Sequence, residues 1–149
     1  MRYEKWTKEM PWPIPPVPLG VYLYADHAAV CGFTSNVSVG VVIAALPGGP
    51  WTPAIAAAII VSSQVIRAAN QDSGGKGLRL RYNFCLGVID DVKRRGRGSS
   101  PCPQILELVD APAEPLGAND PRPLAYTFPD QDLLEKVLTL PEPAGEDLY

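Results

Sequence analysis

Val37-Ser38-Val39-Gly40-Val41-Val42-Ile43-Ala44-Ala45-Leu46, the break Pro47-Gly48-Gly49-Pro50 and the run from Thr52-Pro53 to about Asn70 decide how this chain is read. They predict an apolar helical hairpin. Thr52 is a good N-cap, and Pro53 stands at the first helical turn, where its missing N–H is not needed. Ala54, Ala56, Ala57 and Ala58 are strong helix formers. Ile55, Ile59, Ile60 and Ile66 form a core-facing stripe. Ala54 to Val61 is apolar on every side, which predicts burial on most sides. Asn70, Asp72 and the Gly74-Gly75 pair form a stop. The first arm is rich in β-branched residues, which lowers its helix propensity. A helix from about Asn36 to Leu46 is still favoured, because Ser35 or Asn36 can cap it and Pro47 ends it; a buried strand is the alternative.

Beyond Gly74-Gly75-Lys76-Gly77, the chain alternates from Leu78 to Val88. Leu78, Leu80, Tyr82, Phe84, Leu86 and Val88 share one face, and Arg79, Arg81, Asn83, Cys85 and Gly87 share the other. This predicts one long half-buried strand with a wet, basic face. Asp90 to Gly98 then reads as a polar loop. Leu19 to Tyr24 alternates as a second strand, aliphatic on one face and aromatic on the other. Ile105 to Val109 and Leu124 to Phe128 read as two short strands. Gln131 to Leu140 reads as a last helix capped by Asp130 and ended by Pro141. The expected fold class is α+β: an apolar helical hairpin packed on a small antiparallel sheet, with proline-rich extended termini. The expected layout is a proline-rich arm over 1–18, one α+β domain over 19–140 and a free acidic tail over 141–149.

The chain has 149 residues, 46% of them hydrophobic, enough for a core of its own. Its 17 prolines cluster near both ends. In Pro11-Trp12-Pro13-Ile14-Pro15-Pro16-Val17-Pro18 they predict a semi-rigid extended arm with little regular structure of its own. The formal net charge is −3. Between Lys76 and Gly98, seven basic residues face two acidic ones; from Ser99 onward, two basic residues face ten acidic ones. The simplest reading of that split is neutralisation of the basic strand by the acidic tail within one molecule. No secretory signal is visible and neither hairpin arm has the ~20 apolar residues of a bilayer span, so a cytoplasmic protein is the default expectation.

Three cysteines without framework spacing do not suggest a disulfide scaffold. His27 and Cys31 stand four apart and would share a helix face. That spacing suits two metal ligands or a thiol–imidazole pair, but a zinc site would need Cys85 or Cys102 from distant segments. The expectation is therefore no catalytic residue, no metal site and no cofactor. Gly74-Gly75-Lys76-Gly77 follows a helix and enters a strand, the wrong order for a P-loop.

The leading functional expectation is a non-enzymatic structural or interaction protein whose extended arms reach a neighbouring subunit in a homo-oligomer, or another protein. Trp6, Trp12, Arg79, Arg81, Lys93, Arg94 and Arg95 are its candidate binding residues. The alternative is a membrane-active protein, since the Gly/Pro-hinged apolar hairpin is similar in composition to helical parts of some bacteriocins and pore-formers; no specific motif goes with that likeness. A cysteine-dependent enzyme using Cys31 or Cys85 with His27 ranks third. Nucleic-acid binding through Arg79, Arg81, Tyr82 and Lys93 to Arg97 is disfavoured by the overall acidity.

Overall fold

In the computed structural model, residues 1–35, 38–103, 131–143 and 147–149 are described. Their order is β1 (Arg2–Lys8), β2 (Val17–Ala25), α1 (His27–Thr34), α2 (Val39–Ala45), α3 (Thr52–Val61), α4 (Ser63–Gln71), β3 (Leu78–Asn83), β4 (Val88–Arg94) and α5 (Gln131–Leu138). The strands form one antiparallel sheet in the order β1-β2-β3-β4. The fold is α+β, as the hydrophobic pattern predicts.

The helical arms form where expected but with different limits. In α2 the cap is Ser38, and Leu46 takes an extended conformation immediately before Pro47. A residue preceding proline is pushed out of the helical region, which ends the helix there. The second arm is two helices. α3 and α4 meet at a bend of 79° beside Ser62. The bend follows the change in composition. From Ala54 to Ile60 every residue of α3 is buried, whereas α4 buries only Ile66 and Asn70 and turns Gln64, Val65 and Arg67 to solvent. An all-apolar helix belongs inside and an amphipathic one at the boundary, so one straight axis does not serve both.

Leu78 to Val88 is not one strand. β3 stops at Asn83, and the chain reverses through Phe84 to Gly87 into β4. The Asn83 side-chain oxygen accepts from the backbone N–H groups of Cys85 (2.9 Å) and Leu86 (3.1 Å), and Gly87 supplies a φ of +67°. An Asx turn closed by a left-handed glycine makes the reversal. The segment expected as a loop from Asp90 onward is therefore largely β4, with Ile89 and Val92 packed against the core. The N-terminal segment also departs from expectation. Arg2–Lys8 is an edge strand, with Tyr3 opposite Leu23 and Trp6 opposite Gly20. Of the proposed arm only Met1 and residues 9–16 remain outside a strand.

One core joins the two layers. Val21, Leu23, Leu78, Leu80 and Tyr82 from the sheet meet Val30, Phe33, Val42, Ile55, Ile59 and Ile66 from the helices, with Val137 of α5. Each fully buried aliphatic side chain of this size contributes about 1.5–3 kcal/mol. Gly77, at φ +91°, crosses so close to Ala25 that a Cβ there would run into the Ala25 carbonyl oxygen. The acidic end is anchored rather than free. Lys5 donates its backbone N–H to the Pro141 carbonyl (3.1 Å) and its ammonium lies 2.6 Å from Glu142. At the opposite edge Tyr149 and Arg94 exchange two backbone hydrogen bonds of 2.9 and 3.1 Å. Thus the acidic end touches both edge strands, but its ion pair is with Lys5, outside the basic stretch 76–98, whose Arg81 and Arg95 lie beside Asp90 and Asp26 instead. The strands expected at Ile105–Val109 and Leu124–Phe128, and the cap at Asp130, lie outside the described residues.

Candidate functional site

Most of the candidate binding residues converge on the sheet face turned away from the core. The register puts Trp6 beside Gly20, Arg79 beside Tyr24 and Lys93, and Arg81 beside Tyr22 and Asp91. A Cβ at position 20 would meet the Trp6 ring and the Tyr82 carbonyl, so glycine is what lets the indole lie down across β2. Arg81 stacks on Trp6 (4.4 Å), Arg79 on Tyr22 (4.4 Å), and Arg2 and Arg95 on Tyr24 (4.6 and 5.3 Å). Each such contact is worth about 0.5–1 kcal/mol at an exposed site. Arg81 also donates to Asp90 (2.7 Å), and that hydrogen bond pushes its pKa above the ordinary arginine value. Arg95 lies 3.9 Å from Asp26. These arginines are thus engaged inside the molecule. Arg94 is fixed through its backbone to Tyr149, and Lys93 is exposed.

Trp12 stands apart from this face. It is 92% exposed, in a turn closed by the Ile14 N–H donating to the Pro11 carbonyl (3.0 Å). Ile14 and Val17 beside it in sequence are exposed too. The pairings Lys8–Val17, Gly20–Asn83 and Asn83–Val88 put the 9–16 loop and the 84–87 turn at the same end of the sheet. That turn presents Leu86, 63% exposed, and is followed by exposed Val88. One end of the sheet therefore gathers Trp12, Ile14, Val17, Leu86 and Val88. Large apolar groups collected in this way mark interaction sites more often than the same groups scattered singly.

A second constellation lies between α1, α4 and the loop after β4. His27 and Cys31 face the same way on α1, with His27 Nε2 3.7 Å from the Cys31 sulfur. Asn70, fully buried on α4, has its side-chain oxygen 3.1 Å from His27 Nδ1, and its amide donates to the Cys31 sulfur at 3.3 Å and the Cys102 sulfur at 3.7 Å. The loop is tied down by Ser100, whose N–H donates to the Gln71 carbonyl (2.7 Å), and by the Ser73–Gly98 bridge. Cys31 and Cys102 form a disulfide across 71 residues, and Ser100 Oγ lies 3.4 Å from His27 Nε2. Cys85 is free and exposed on the distant turn. The His27–Cys31 spacing is visible in the sequence; the arrival of Cys102 and the role of Asn70 are not. Asn70 carries a helix-stop signal, and nothing local marks it as a partner of the sulfurs. The cysteines pair despite the absence of framework spacing.

Among the described residues no single helix is long and apolar enough to cross a membrane. α3 and α4 pass that test together, but they are sharply bent and α3 is inside the core. No protein-family model matches the chain, and neither a curated protein nor a solved structure does.

Proposed function

We propose that the chain is a non-enzymatic interaction protein that assembles with copies of itself, its 9–16 loop docking on a neighbouring subunit. The observation that carries this reading is the exposed Trp12 in a turn stiffened by Pro11, Pro13, Pro15 and Pro16. Proline fixes φ beforehand, so ordering such a loop at an interface loses less entropy than ordering a flexible one. Tryptophan is also the residue type most enriched among interface positions that dominate binding. The docking surface of this reading is the apolar end of the sheet, with Trp12 as anchor and Ile14, Val17, Leu86 and Val88 at the same end. The stacked arginines contribute rigidity to the sheet that presents it.

The test is light scattering across a concentration series, for the wild type and for Trp12→Ser. The expected result is a wild-type mass that rises to a defined multiple of 16.0 kDa. The variant should dissociate with a loss of about 2 kcal/mol or more, or upward of tenfold in affinity. A wild type that stays monomeric at every concentration contradicts the reading. If the same monomer binds vesicles of mixed zwitterionic and anionic phospholipid, the membrane-active alternative takes its place.

A further inference from the structure

We propose that His27, Cys31 and Cys102 form a redox-gated site for a thiophilic divalent cation of the zinc type, closed by the disulfide and opened by its reduction. This site is separate from the apolar end of the sheet and does not depend on the assembly reading. Three potential ligand atoms lie within 4.8 Å of one another. A tetrahedral zinc with sulfur at about 2.3 Å and nitrogen at about 2.0–2.1 Å separates adjacent ligands by roughly 3.5–3.8 Å. The observed His27 Nε2–Cys31 sulfur distance is 3.7 Å. After reduction the two sulfurs must part, and the Cys102 sulfur, already within 4.8 Å of the other two ligand atoms, must settle on the same tetrahedron.

The surroundings match what a metal-binding imidazole and thiolate pair require. With Nδ1–H donated to the Asn70 side-chain oxygen, the Nε2 lone pair faces the Cys31 sulfur at 3.7 Å and the Ser100 hydroxyl at 3.4 Å, and a metal at Nε2 takes the place of the Ser100 contact. An orienting partner on the far nitrogen is the usual second layer of a metal-bound histidine. Asn70 also aims its amide at both sulfurs, where it offsets negative charge on thiolates. One side chain therefore positions all three ligands. Three protein ligands leave one coordination position for water. Cys85, being remote, takes no part.

The redox step balances with a dithiol as reductant. The Cys31–Cys102 bond takes up two electrons and two protons and becomes two thiols, while the dithiol gives them up and closes to its own disulfide. Metal binding then displaces both thiol protons to solvent, and neutral His27 supplies the third bond through Nε2.

The test uses cobalt(II), whose thiolate charge-transfer and tetrahedral ligand-field bands report this ligand set. The full-length protein is reduced with a water-soluble phosphine, which takes its oxygen from water, and is then desalted without oxygen. The expected result is one equivalent of cobalt bound with both band sets, none by the oxidised protein, and zinc displacing the cobalt. Cys85→Ser should keep the spectrum. His27→Gln should change the ligand-field bands and weaken binding at least tenfold, and Asn70→Ala, which alters only a positioning residue, should weaken it about 10–100-fold. Circular dichroism runs alongside. A reduced protein that unfolds and is refolded by zinc supports the site, since metal binding is then coupled to folding. The proposal is overturned if the reduced, folded wild type takes up no stoichiometric cobalt. It is equally overturned if zinc does not rescue an unfolded one, if His27→Gln leaves spectrum and affinity unchanged, or if Cys85→Ser abolishes binding.

Discussion

The Tyr3 hydroxyl hydrogen-bonds Thr52 Oγ1 at 2.9 Å, and Thr52 in turn donates to the Pro47 carbonyl at 2.8 Å. Because Thr52 spends its proton on Pro47, Tyr3 is the donor to Thr52. The chain of two bonds ties the edge strand β1 to the first turn of α3 and to the break before it. Burial pushes the Tyr3 pKa from 10.0 to about 12. A phenol whose folded pKa is raised contributes stability that is fully present below pH 10 and lost as pH climbs toward 12. Tyr3→Phe should lower stability near neutrality by about 1 kcal/mol. Chemical denaturation across the alkaline range should also show a shallower fall between pH 10 and 12 than in the wild type. An unchanged alkaline slope would place the tyrosine in water.

Ile59 is completely buried in the last turn of α3. Ile59→Ala should destabilise by about 2–5 kcal/mol through lost burial and a residual cavity. Ile59→Asp should do so more severely, because a buried carboxylate without a partner is strongly disfavoured. Melting temperatures of the two variants check this. Wild-type melting in both would mean that α3 faces solvent, a partner or a membrane instead of the core.

Gly77 has both a left-handed φ and no room for a Cβ. Gly77→Ala should therefore destabilise by roughly 1–3 kcal/mol, since the strain and the clash with Ala25 act together. Gly48→Ala is the control: its Cβ would meet nothing within 4 Å. Comparable losses at both positions would count against the close approach of the β2 end to the β3 start.

The Cys31–Cys102 bond closes a long loop, and breaking a native disulfide in a small domain costs about 2–5 kcal/mol. Cys102→Ser should lower denaturant stability within that range under oxidising conditions, with Cys85→Ser near zero. A peptide map without reduction should join Cys31 to Cys102 and leave Cys85 alkylated. The same bond bears on compartment, since such pairs persist in oxidising surroundings and are rare in reducing ones. It therefore weakens the cytoplasmic default drawn from the absence of a visible signal segment.

The parts of the fold legible in the sequence were those where side-chain period and packing agree. Leu78, Leu80 and Tyr82 alternate and are buried, and Ile55, Ile59 and Ile66 form the stripe that meets them. The turn after Asn83 was hidden because Phe84, Leu86 and Val88 continue the period of two by composition while only Phe84 is buried. Its signal was Asn83 with Gly87, an Asx turn and a left-handed glycine. Strand β1 was hidden by its charges. Glu4 is buried beside Arg2 at 3.0 Å, so a residue that argues for solvent sits inside a strand. Asn70 reads as a helix end in the sequence because its partners arrive from residues 27, 31 and 102, far away in sequence.

The proposed self-assembly through Trp12 is read out by photo-crosslinking from position 12. A benzophenone side chain replaces Trp12, keeping an aromatic anchor of similar size. The protein is irradiated in solution, and crosslinked peptides are assigned by mass spectrometry between isotopically light and heavy copies. The expected result is mixed light–heavy crosslinks from position 12 to one defined surface, lost on dilution. Crosslinks confined within single chains, or none at concentrations where light scattering shows an oligomer, would contradict it.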